Sequence, residues 1–261
     1  MNGVRLYFRY IRLHFLSQLQ YTLWPMALLT TALFVATDPL DALLMFDRFG
    51  AIGEWTASRI LLMYGMALFA FGLAELFARG LDFFPQLVRG GEFDRMLLRP
   101  RSLLLQSMAT RFHLNRLARV VGGLALLIVS LRTQGVALGA MDLAMLALAI
   151  LGGVLFYMGA FLLAAGVAFF TIASVEWVNV LTNGSYQALK VPPQYLPPWL
   201  RGAITFVFPI LAYAYYPASA ICGWGEPYAL GFAALPAGAA FFALCYAFWR
   251  FGVRHYKSTG S

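Results

Sequence analysis

Long apolar runs separated by short polar segments dominate this sequence. A helix of roughly 20 apolar residues is long enough to cross a bilayer. Six segments are predicted to do so: Leu19–Thr37, Ile60–Ala78, Leu117–Leu131, Leu143–Ala173, Ala203–Cys222 and Tyr228–Trp249. The pattern therefore predicts an all-α membrane protein with about six transmembrane helices, forming a single domain over residues 1–261.

The fourth run is too long for one straight crossing, so we expect it to tilt or to bend near its glycines. These glycines are Gly152, Gly153, Gly159 and Gly166. Their spacing also permits close helix approach, either inside the chain or at a seam between two copies.

The first 18 residues have a different pattern. Arg5, Arg9 and Arg12 recur at helical spacing on one side, and apolar residues fill much of the remainder. This is typical of a helix that lies in the membrane interface with its basic side toward the lipid head groups. The alternative is a cytoplasmic extension of the first span. The segment lacks the clean apolar core and the cleavage site of a secretory signal.

Composition supports the membrane assignment. The chain is 61% hydrophobic and only 11% charged, whereas soluble domains carry about 25% charged residues. The net charge is +8, but the basic residues lie at the ends of apolar runs. That placement favours membrane orientation and lipid head groups as the role of the charge, and we expect no nucleic-acid partner.

Eight of the nineteen lysines and arginines lie between Arg79 and Arg119. This stretch holds eight arginines and three acids: Arg79, Arg89, Arg95, Arg99, Arg101, Arg111, Arg116 and Arg119, with Asp82, Glu92 and Asp94. We call residues 79–116 the connector. Gly90-Gly91 predicts a turn, and Arg99-Pro100 ends the helix that follows, because the residue before proline avoids helical geometry. The pattern predicts a short amphipathic helix projecting into the cytoplasm; the alternative is an interfacial helix with no partner.

The loop charges predict the orientation. With a cytoplasmic N-terminus, sixteen basic residues lie inside: Arg5, Arg9, Arg12, the seven connector arginines, Arg119, Lys190, Arg201, Arg250, Arg254 and Lys257. Three lie outside, namely Arg48, Arg59 and Arg132, together with the acids Asp38, Asp41, Asp47, Glu54, Asp142 and Glu226. Both termini are therefore predicted to be cytoplasmic.

Two proline-rich segments interrupt the second half of the chain. Residues 174–202 contain Pro192, Pro193, Pro197 and Pro198, and we predict a cytoplasmic linker there, with Trp177, Tyr195 and Trp199 as interface anchors. Residues 217–227 contain Pro217, Gly223, Gly225 and Pro227, which predicts an outer re-entrant element between spans five and six.

Residues that carry chemistry are scarce. No GxxxxGK[ST] phosphate loop and no nucleophile motif occurs, and His14, His113 and His255 are scattered, so we expect no catalytic, cofactor or metal site. Cys222 and Cys245 do not suggest a disulfide framework. The spans are nearly free of ionisable groups. Glu75 is interpreted as an edge carboxylate paired with an arginine, with a pore residue as the alternative.

The connector sequence VRGGEFDRMLLRPRSLLLQ resembles the cytoplasmic loop of permease subunits in a bacterial type-2 ABC exporter family. The matching residues are Arg89, Gly91, Phe93, Asp94, Leu97, Leu98, Arg99, Pro100, Leu104 and Gln106. Ile52–Gly65 is similar to the family's segment before span two, with Glu54 inserted, and Pro192–Pro217 is similar to its segment before the last span.

The resemblance implies a fold and partners. Two six-span permeases, identical or homologous, would pair above two ATPase subunits that bind ATP and Mg²⁺, in a bacterial inner membrane. The N-terminal helix would be an elbow helix on the inner surface. The connector would carry the coupling helix that docks on the ATPase, with these residues: Arg89, Gly90, Gly91, Glu92, Phe93, Asp94, Arg95, Leu98, Arg99 and Pro100. The chain itself would not be an enzyme.

Two other functions remain open from the sequence. One is an ATP-independent channel or facilitator, and the other is a membrane-embedded enzyme acting on lipids. A hydrophobic or amphiphilic cargo is suggested by the aromatic residues available to line a path, which are Phe69, Phe71, Phe77, Phe206, Phe208, Tyr213 and Tyr215.

Overall fold

A computed structural model describes residues 3–171 and 178–256, with side chains from Arg5 onward. The regular elements in this part of the chain are helices. The α-helices are α1 Gly3–Leu19, α2 Trp24–Thr37, α3 Leu40–Phe49, α4 Ala57–Asp82, α5 Phe84–Arg89, α6 Glu92–Leu97, α7 Leu103–Met108, α8 Leu117–Thr133, α9 Ala140–Val167, α10 Val178–Ala188, α11 Pro198–Gly202, α12 Ile210–Tyr213, α13 Tyr215–Cys222 and α14 Ala234–His255. Short 3₁₀ turns cover Leu114–Arg116, Pro193–Tyr195 and Tyr228–Ala233, and a π turn covers Ala203–Val207.

Five helical segments are long and apolar enough to cross a bilayer. They are Trp24–Phe49, Ala57–Arg89, Leu114–Thr133, Ala140–Val167 and Tyr228–His255. A sixth candidate, Pro198–Val207 with Ile210–Cys222, is bent by 68°. The predicted all-α membrane fold is thereby confirmed, and the second, third, fourth and sixth predicted spans each fall on one of these segments.

The first span differs from its prediction. It begins at Trp24 and continues through α3 to Phe49, so that residues 38–49 are helical rather than an outer loop. Pro39 precedes the first turn of α3, where a missing N–H is tolerated, and Ala42 and Phe46 form its buried side. The acids of this stretch favoured a loop in the prediction from sequence. In α3 they lie on the side of an amphipathic helix away from Ala42 and Phe46.

Helix α9 is a single uninterrupted helix of 28 residues. Gly152, Gly159 and Gly166 pack against α14 and Gly153 packs against Ala70 and Tyr213, and none of them bends the helix. A Cβ atom placed on Gly152 would lie 2.3 Å from the carbonyl oxygen of Ala234, and one on Gly159 would lie 2.8 Å from the Phe241 ring. Close packing inside the chain is therefore the role of these glycines, and this chain's own α14 covers the side that a seam between two copies would need.

The fifth predicted span, Ala203–Cys222, is wrong as a straight crossing. The chain breaks at Phe208 and Pro209, where Phe208 is extended and Pro209 has no N–H to donate. The predicted re-entrant element at 217–227 is also misplaced, because Pro217 lies in the first turn of α13. Only Gly223 and Gly225, both with positive φ, form the turn that follows.

Residues 174–202 were predicted to form a linker on the same side of the membrane as the connector, and two contacts of the described part of this segment contradict that placement. Lys190 Nζ lies 2.9 Å from Asp41 Oδ2, and the Tyr195 hydroxyl lies 3.1 Å from the position of a Cβ on Gly53. Both partners of these contacts belong to the end of the bundle opposite the connector. Lys190 and the acids Asp38 and Asp41 therefore lie on the same side of the membrane. The sequence had placed them on opposite sides.

Helix α10 makes the crossing that the bent pair does not. Its Thr182 and Asn183 share a cavity with Arg79 at the connector end, whereas Lys190, just beyond it, reaches Asp41 at the opposite end. Besides the five long helices, described residues 178–195 make a sixth passage between the two ends of the bundle, and the 11 residues of α10 cover the first part of it. The described chain ends accordingly meet at the connector end, where Tyr7 donates a hydrogen bond to the Phe77 carbonyl and Tyr256 packs on Phe93. Trp177, the predicted interface anchor, lies outside the described residues.

Candidate functional site: an exposed connector and a charged cavity

The connector contains three short helices, α5, α6 and α7, of which α6 corresponds to the predicted projecting helix. Pro85 lies in the first turn of α5, and Gly91 adopts a left-handed φ of 66° that starts α6 at Glu92. Ser102 caps α7 by accepting a hydrogen bond from the Leu105 N–H at 3.5 Å. The predicted turn at Gly90-Gly91 and the end of the helix before Arg99 are thereby confirmed.

Phe93 fixes α6 to the rest of the molecule. Its side chain is completely buried, and its ring lies 5.1 Å from that of Phe84, 5.4 Å from Phe169 and 5.2 Å from Tyr256. Edge-to-face pairs at such distances are favourable beyond the area that they bury. One side chain therefore connects α6 to α5, to the segment after α9 and to the end of α14.

The other predicted coupling residues are distributed around this anchor. Gly91 and Asp94 are half-buried, and seven are exposed: Arg89, Gly90, Glu92, Arg95, Leu98, Arg99 and Pro100. The Leu98 side chain is 84% exposed, and Leu97, which was not among the predicted coupling residues, is 43% exposed. Two exposed leucines bordered by arginines form what we call the connector face, defined as Glu92, Arg95, Leu97, Leu98, Arg99 and Pro100.

Helix α1 packs against the connector end. Gln18 donates from Nε2 to the Phe112 carbonyl, and its Oε1 accepts from the Leu114 N–H at 2.7 Å. Burial raises the pKa of the Tyr7 hydroxyl well above its ordinary value. The predicted basic residues Arg5, Arg9 and Arg12 are all exposed. The arrangement leaves the basic side of α1 available to lipid head groups, which stays a prediction.

Glu75 is the centre of a buried ion-pair cluster. Its carboxylate is 1% exposed; Oε1 lies 2.6 Å from Arg79 Nη1 and 3.4 Å from Arg116 Nη1, and Oε2 accepts a hydrogen bond from Arg119. Arg79 also contacts Asp82 at 3.0 Å. The predicted pairing of Glu75 with an arginine is confirmed. The sequence did not indicate that Arg116 and Arg119, about forty residues away, would join it.

A cavity of about 250 Å³ opens beside this cluster. We call it the charged cavity, and it is lined by Phe71, Glu75, Arg79, Asp82, Arg116, Arg119, Phe161, Asn179, Thr182 and Asn183. A second cavity, of about 600 Å³, shares Arg116 and Arg119 with it and extends past Tyr186 to Asp38 and Asp41. The two cavities adjoin at Arg116 and Arg119, and we call them together the polar route, which lies between α2, α4, α8 and α10.

The far end of this route carries a second group of charges. Lys190 contacts Asp38 and Asp41, while Asp38 also accepts hydrogen bonds from the Tyr64 hydroxyl and from Gln187 Nε2 at 2.9 Å. The expectation that the spans are nearly free of ionisable groups is therefore wrong. It failed because the sequence placed Asp38, Asp41 and Lys190 in loops on different sides.

The aromatic path expected for a cargo is not formed. Phe71 and Tyr213 are buried in the core, whereas Phe206 is 86% exposed, so the seven aromatic residues do not line one route. Among the described residues, no group of three or more His, Cys, Asp or Glu side chains could hold a metal ion.

Comparison with known proteins gives one match. A family model described as "ABC-2 family transporter protein" matches residues 32–260, which include the connector, both cavities and every candidate span in whole or in large part. No curated protein and no solved structure matches the chain.

Proposed function

This chain belongs to the ABC-2 transporter family, and from that premise we propose that it is the permease subunit of an ATP-driven exporter. The family makes it a membrane component of a transporter. The proposal adds that a separate ATPase subunit drives it, that this ATPase binds ATP and Mg²⁺, and that it docks on the connector face. The observation that carries the proposal is the connector face itself.

The chemistry of the connector face suits a protein partner. Leu98 is 84% exposed and lies next to Leu97, which is 43% exposed, and a contiguous apolar patch with a charged rim is the kind of surface that a protein partner covers. Arg95 and Arg99 border it, and arginine is enriched among the residues that dominate binding energy at interfaces. A complementary surface would offer an apolar pocket with an acidic rim, and charge complementarity would select the partner and its orientation.

The anchoring of α6 supports a mechanical role. Because Phe93 joins α6 to α5, to the segment after α9 and to α14, a displacement of α6 cannot remain local. We propose that closure of two ATPase subunits moves α6 in each of two paired permeases, identical or homologous, and that this movement reorients the spans. Packed interfaces of this kind have discrete alternative arrangements rather than continuous deformation.

The orientation belongs to the same proposal. With Lys190 and Arg201 reassigned, thirteen lysines and arginines among the described residues lie at the connector end and five at the opposite end. This excess supports a cytoplasmic connector and cytoplasmic termini in a bacterial inner membrane. An exposed basic connector on the inner side is where an ATP-hydrolysing partner could reach it.

The test is whether transport and partner binding depend on the connector face. The tagged chain is purified from its native membrane, and the eluate is assayed for ATP hydrolysis and for a copurifying chain with a GxxxxGK[ST] phosphate loop. Leu98→Asp and Arg99→Glu are expected to abolish both copurification and transport without reducing the amount of chain in the membrane. Leu98→Met keeps the apolar contact, and Arg48→Glu reverses a charge at the opposite end, so both should behave as wild type.

The other functions predict different results. Flux through the isolated chain driven by a gradient alone would favour a facilitator, and turnover of a lipid by the isolated chain without ATP would favour an enzyme. If Arg99→Glu and Leu98→Asp kept both ATPase copurification and ATP-dependent transport, the connector face would not be the docking surface.

A further inference from the structure

The charged cavity holds more positive than negative charge. Three arginines, Arg79, Arg116 and Arg119, line it together with two acids, Glu75 and Asp82, which leaves one formal positive charge. The arginine side chains are only 14–20% exposed. Uncompensated charge in such a setting is unfavourable, because the surrounding protein solvates it less well than water does. A ligand that supplies the missing negative charge would stabilise the cluster.

Arg79, Arg116 and Arg119 also have hydrogen-bond donors that their ion pairs with Glu75 and Asp82 do not use. Their contacts to Glu75 and Asp82 are made through Nη1 atoms. The Nε atoms of Arg79, Arg116 and Arg119 are buried and have no hydrogen-bond partner within the described part of the chain. Buried donors are normally paired, and three unpaired Nε–H groups around one cavity require an acceptor. Guanidinium groups present their donors in a planar fork that fits phosphate and carboxylate oxygens.

Helix α10 completes the wall with neutral polar groups. Thr182 and Asn183 line the cavity opposite the arginines, and no further acid lines it. Asn183 is half-buried; its Oδ1 accepts a hydrogen bond from the Tyr186 hydroxyl at 3.2 Å, and its Nδ2 lies 3.3 Å from Asn179 Oδ1. The volume of about 250 Å³ is below the range of pockets that enclose drug-sized molecules, so it suits a head group rather than a whole amphiphile.

From this geometry we infer that the charged cavity is a binding site for a phosphate-type anionic group. Arg116 and Arg119 also line the larger cavity that leads to the opposite end, so an anion bound here lies on the polar route through the bundle. The assignment of that anion as part of the cargo rests on the proposed transport function, whereas its binding to this chain does not. The exported substrate would then be an amphiphile with an anionic head group.

The test measures thermal stability of the full chain in nanodiscs of phosphatidylcholine. One arm adds inorganic phosphate against chloride at equal ionic strength, and the other replaces part of the phosphatidylcholine with phosphatidic acid. A bound anion is expected to raise Tm by about 2–4 °C or more in at least one arm. A shift with phosphatidic acid alone identifies a membrane amphiphile as the source, and a shift with both shows that the free group is sufficient.

Three variants separate a binding site from a structural cluster. Arg116→Gln removes the weakest contact to Glu75, which keeps Arg79 and Arg119, and it is expected to lose the anion-dependent shift. Arg111→Gln, an exposed arginine outside the cavity, is the matched control and should keep the shift. Asn183→Asp places a carboxylate inside the cavity, so it should raise Tm without anion and abolish any further rise.

The outcomes against the inference are equally definite. Three results would each contradict the proposed site. They are a Tm shift that chloride reproduces, no Tm shift in either arm, and an anion-dependent Tm shift that persists in Asn183→Asp. Because no ATPase is present in this assay, a loss of transport in cells together with intact anion binding would contradict the proposed function and leave the site standing.

Discussion

Lys190 Nζ lies 2.9 Å from Asp41 Oδ2, although 149 residues separate the two in sequence. Asp41 belongs to the first span segment, and Lys190 lies just beyond α10. Their contact determines which end of the bundle the proline-rich segment occupies, and it makes α10 the fifth crossing. The pair Pro198–Val207 and Ile210–Cys222, bent by 68°, then begins and ends at the end opposite the connector.

Labelling of single cysteines tests this topology. In a chain with Cys222 and Cys245 replaced by alanine, Gln194→Cys and Gly50→Cys should react with an impermeant maleimide from the same side of the membrane. Arg95→Cys in the connector should react only from the other side. Reaction of Gln194→Cys together with Arg95→Cys would restore a linker at the connector end and contradict the crossing by α10.

Removal of the buried carboxylate should destabilise the bundle. Glu75→Gln leaves three arginines around a neutral side chain, and loss of one member of a buried ion pair typically costs about 3–5 kcal/mol. We expect a clear fall in the Tm of the purified chain. Asp82→Asn is the matched control, since Asp82 is 33% exposed and contacts only one of the three arginines. Equal falls in Tm for the two variants would show that Glu75 stabilises the cluster no more than Asp82 does.

Substitutions in the connector should distinguish the anchoring of α6 by Phe93 from the docking of an ATPase on Leu98. Phe93→Ala removes a completely buried ring, and such changes cost about 3–5 kcal/mol in a packed core. It should expose α6 to limited proteolysis in the isolated chain and also abolish transport. Leu98→Ala should leave proteolysis of the isolated chain unchanged, because that side chain is 84% exposed, and should weaken only ATPase binding. Identical protease patterns in both variants would argue against the anchor.

Packing of α9 on α14 should depend on the missing Cβ of Gly152. Gly152→Ala would place a methyl group 2.3 Å from the Ala234 carbonyl oxygen, which requires the helices to separate. Overpacking of this kind typically costs about 1–3 kcal/mol, so Tm should fall. Gly202→Ala is the control, because no heavy atom lies within 4 Å of its Cβ position and its φ of −61° is helical. That change should be neutral or slightly stabilising.

A fall in pH should lower the stability of the connector end, because it protonates His113. Burial, followed by the charges of Arg79, Arg116 and Arg111, lowers the pKa of His113 below its usual 6.5, and Glu75 opposes this only in part. The unfolded chain therefore takes up this proton first. The stability contribution of His113 is fully present above about pH 6.5 and is lost as the pH falls toward the lowered pKa.

His113→Gln tests that contribution by removing the titrating group while the other histidines remain. The fall in Tm between pH 7.5 and pH 5.5 should be smaller in this variant than in wild type. An unchanged or larger fall would assign the pH dependence to other groups.

Parts of the connector could be predicted because they depend on local backbone chemistry. Gly91 permits a left-handed turn and Pro100 excludes a continuing helix, whatever surrounds them. The exposure of Leu98 and the burial of Phe93 could not be predicted in the same way. Phe93 lies in α6 and Leu98 directly follows it, both are apolar, and only the positions of Phe84, Phe169 and Tyr256 decide which of them is covered.

Only part of the charged cavity could be predicted from the sequence. Glu75 and Arg79 are four residues apart on one helix, so their pairing follows from helical geometry. Arg119 joins them through the packing of α8 on α4, Arg116 through the 3₁₀ turn that precedes α8, and Asn183 through α10. Contacts between segments so distant in sequence leave no periodic signal in a single chain.

By itself, then, the sequence determined that this protein lies in a membrane as a set of helices, with a basic connector at one end. Apolar run length and charge placement respond directly to the bilayer, so they can be read without knowledge of the packing. The tertiary structure alone decided that Asp38, Asp41 and Lys190 meet, and that α10 rather than Ala203–Cys222 makes the fifth crossing. Paired charges of opposite sign can lie within a helical bundle, and a sequence shows the charges without showing which of them are paired.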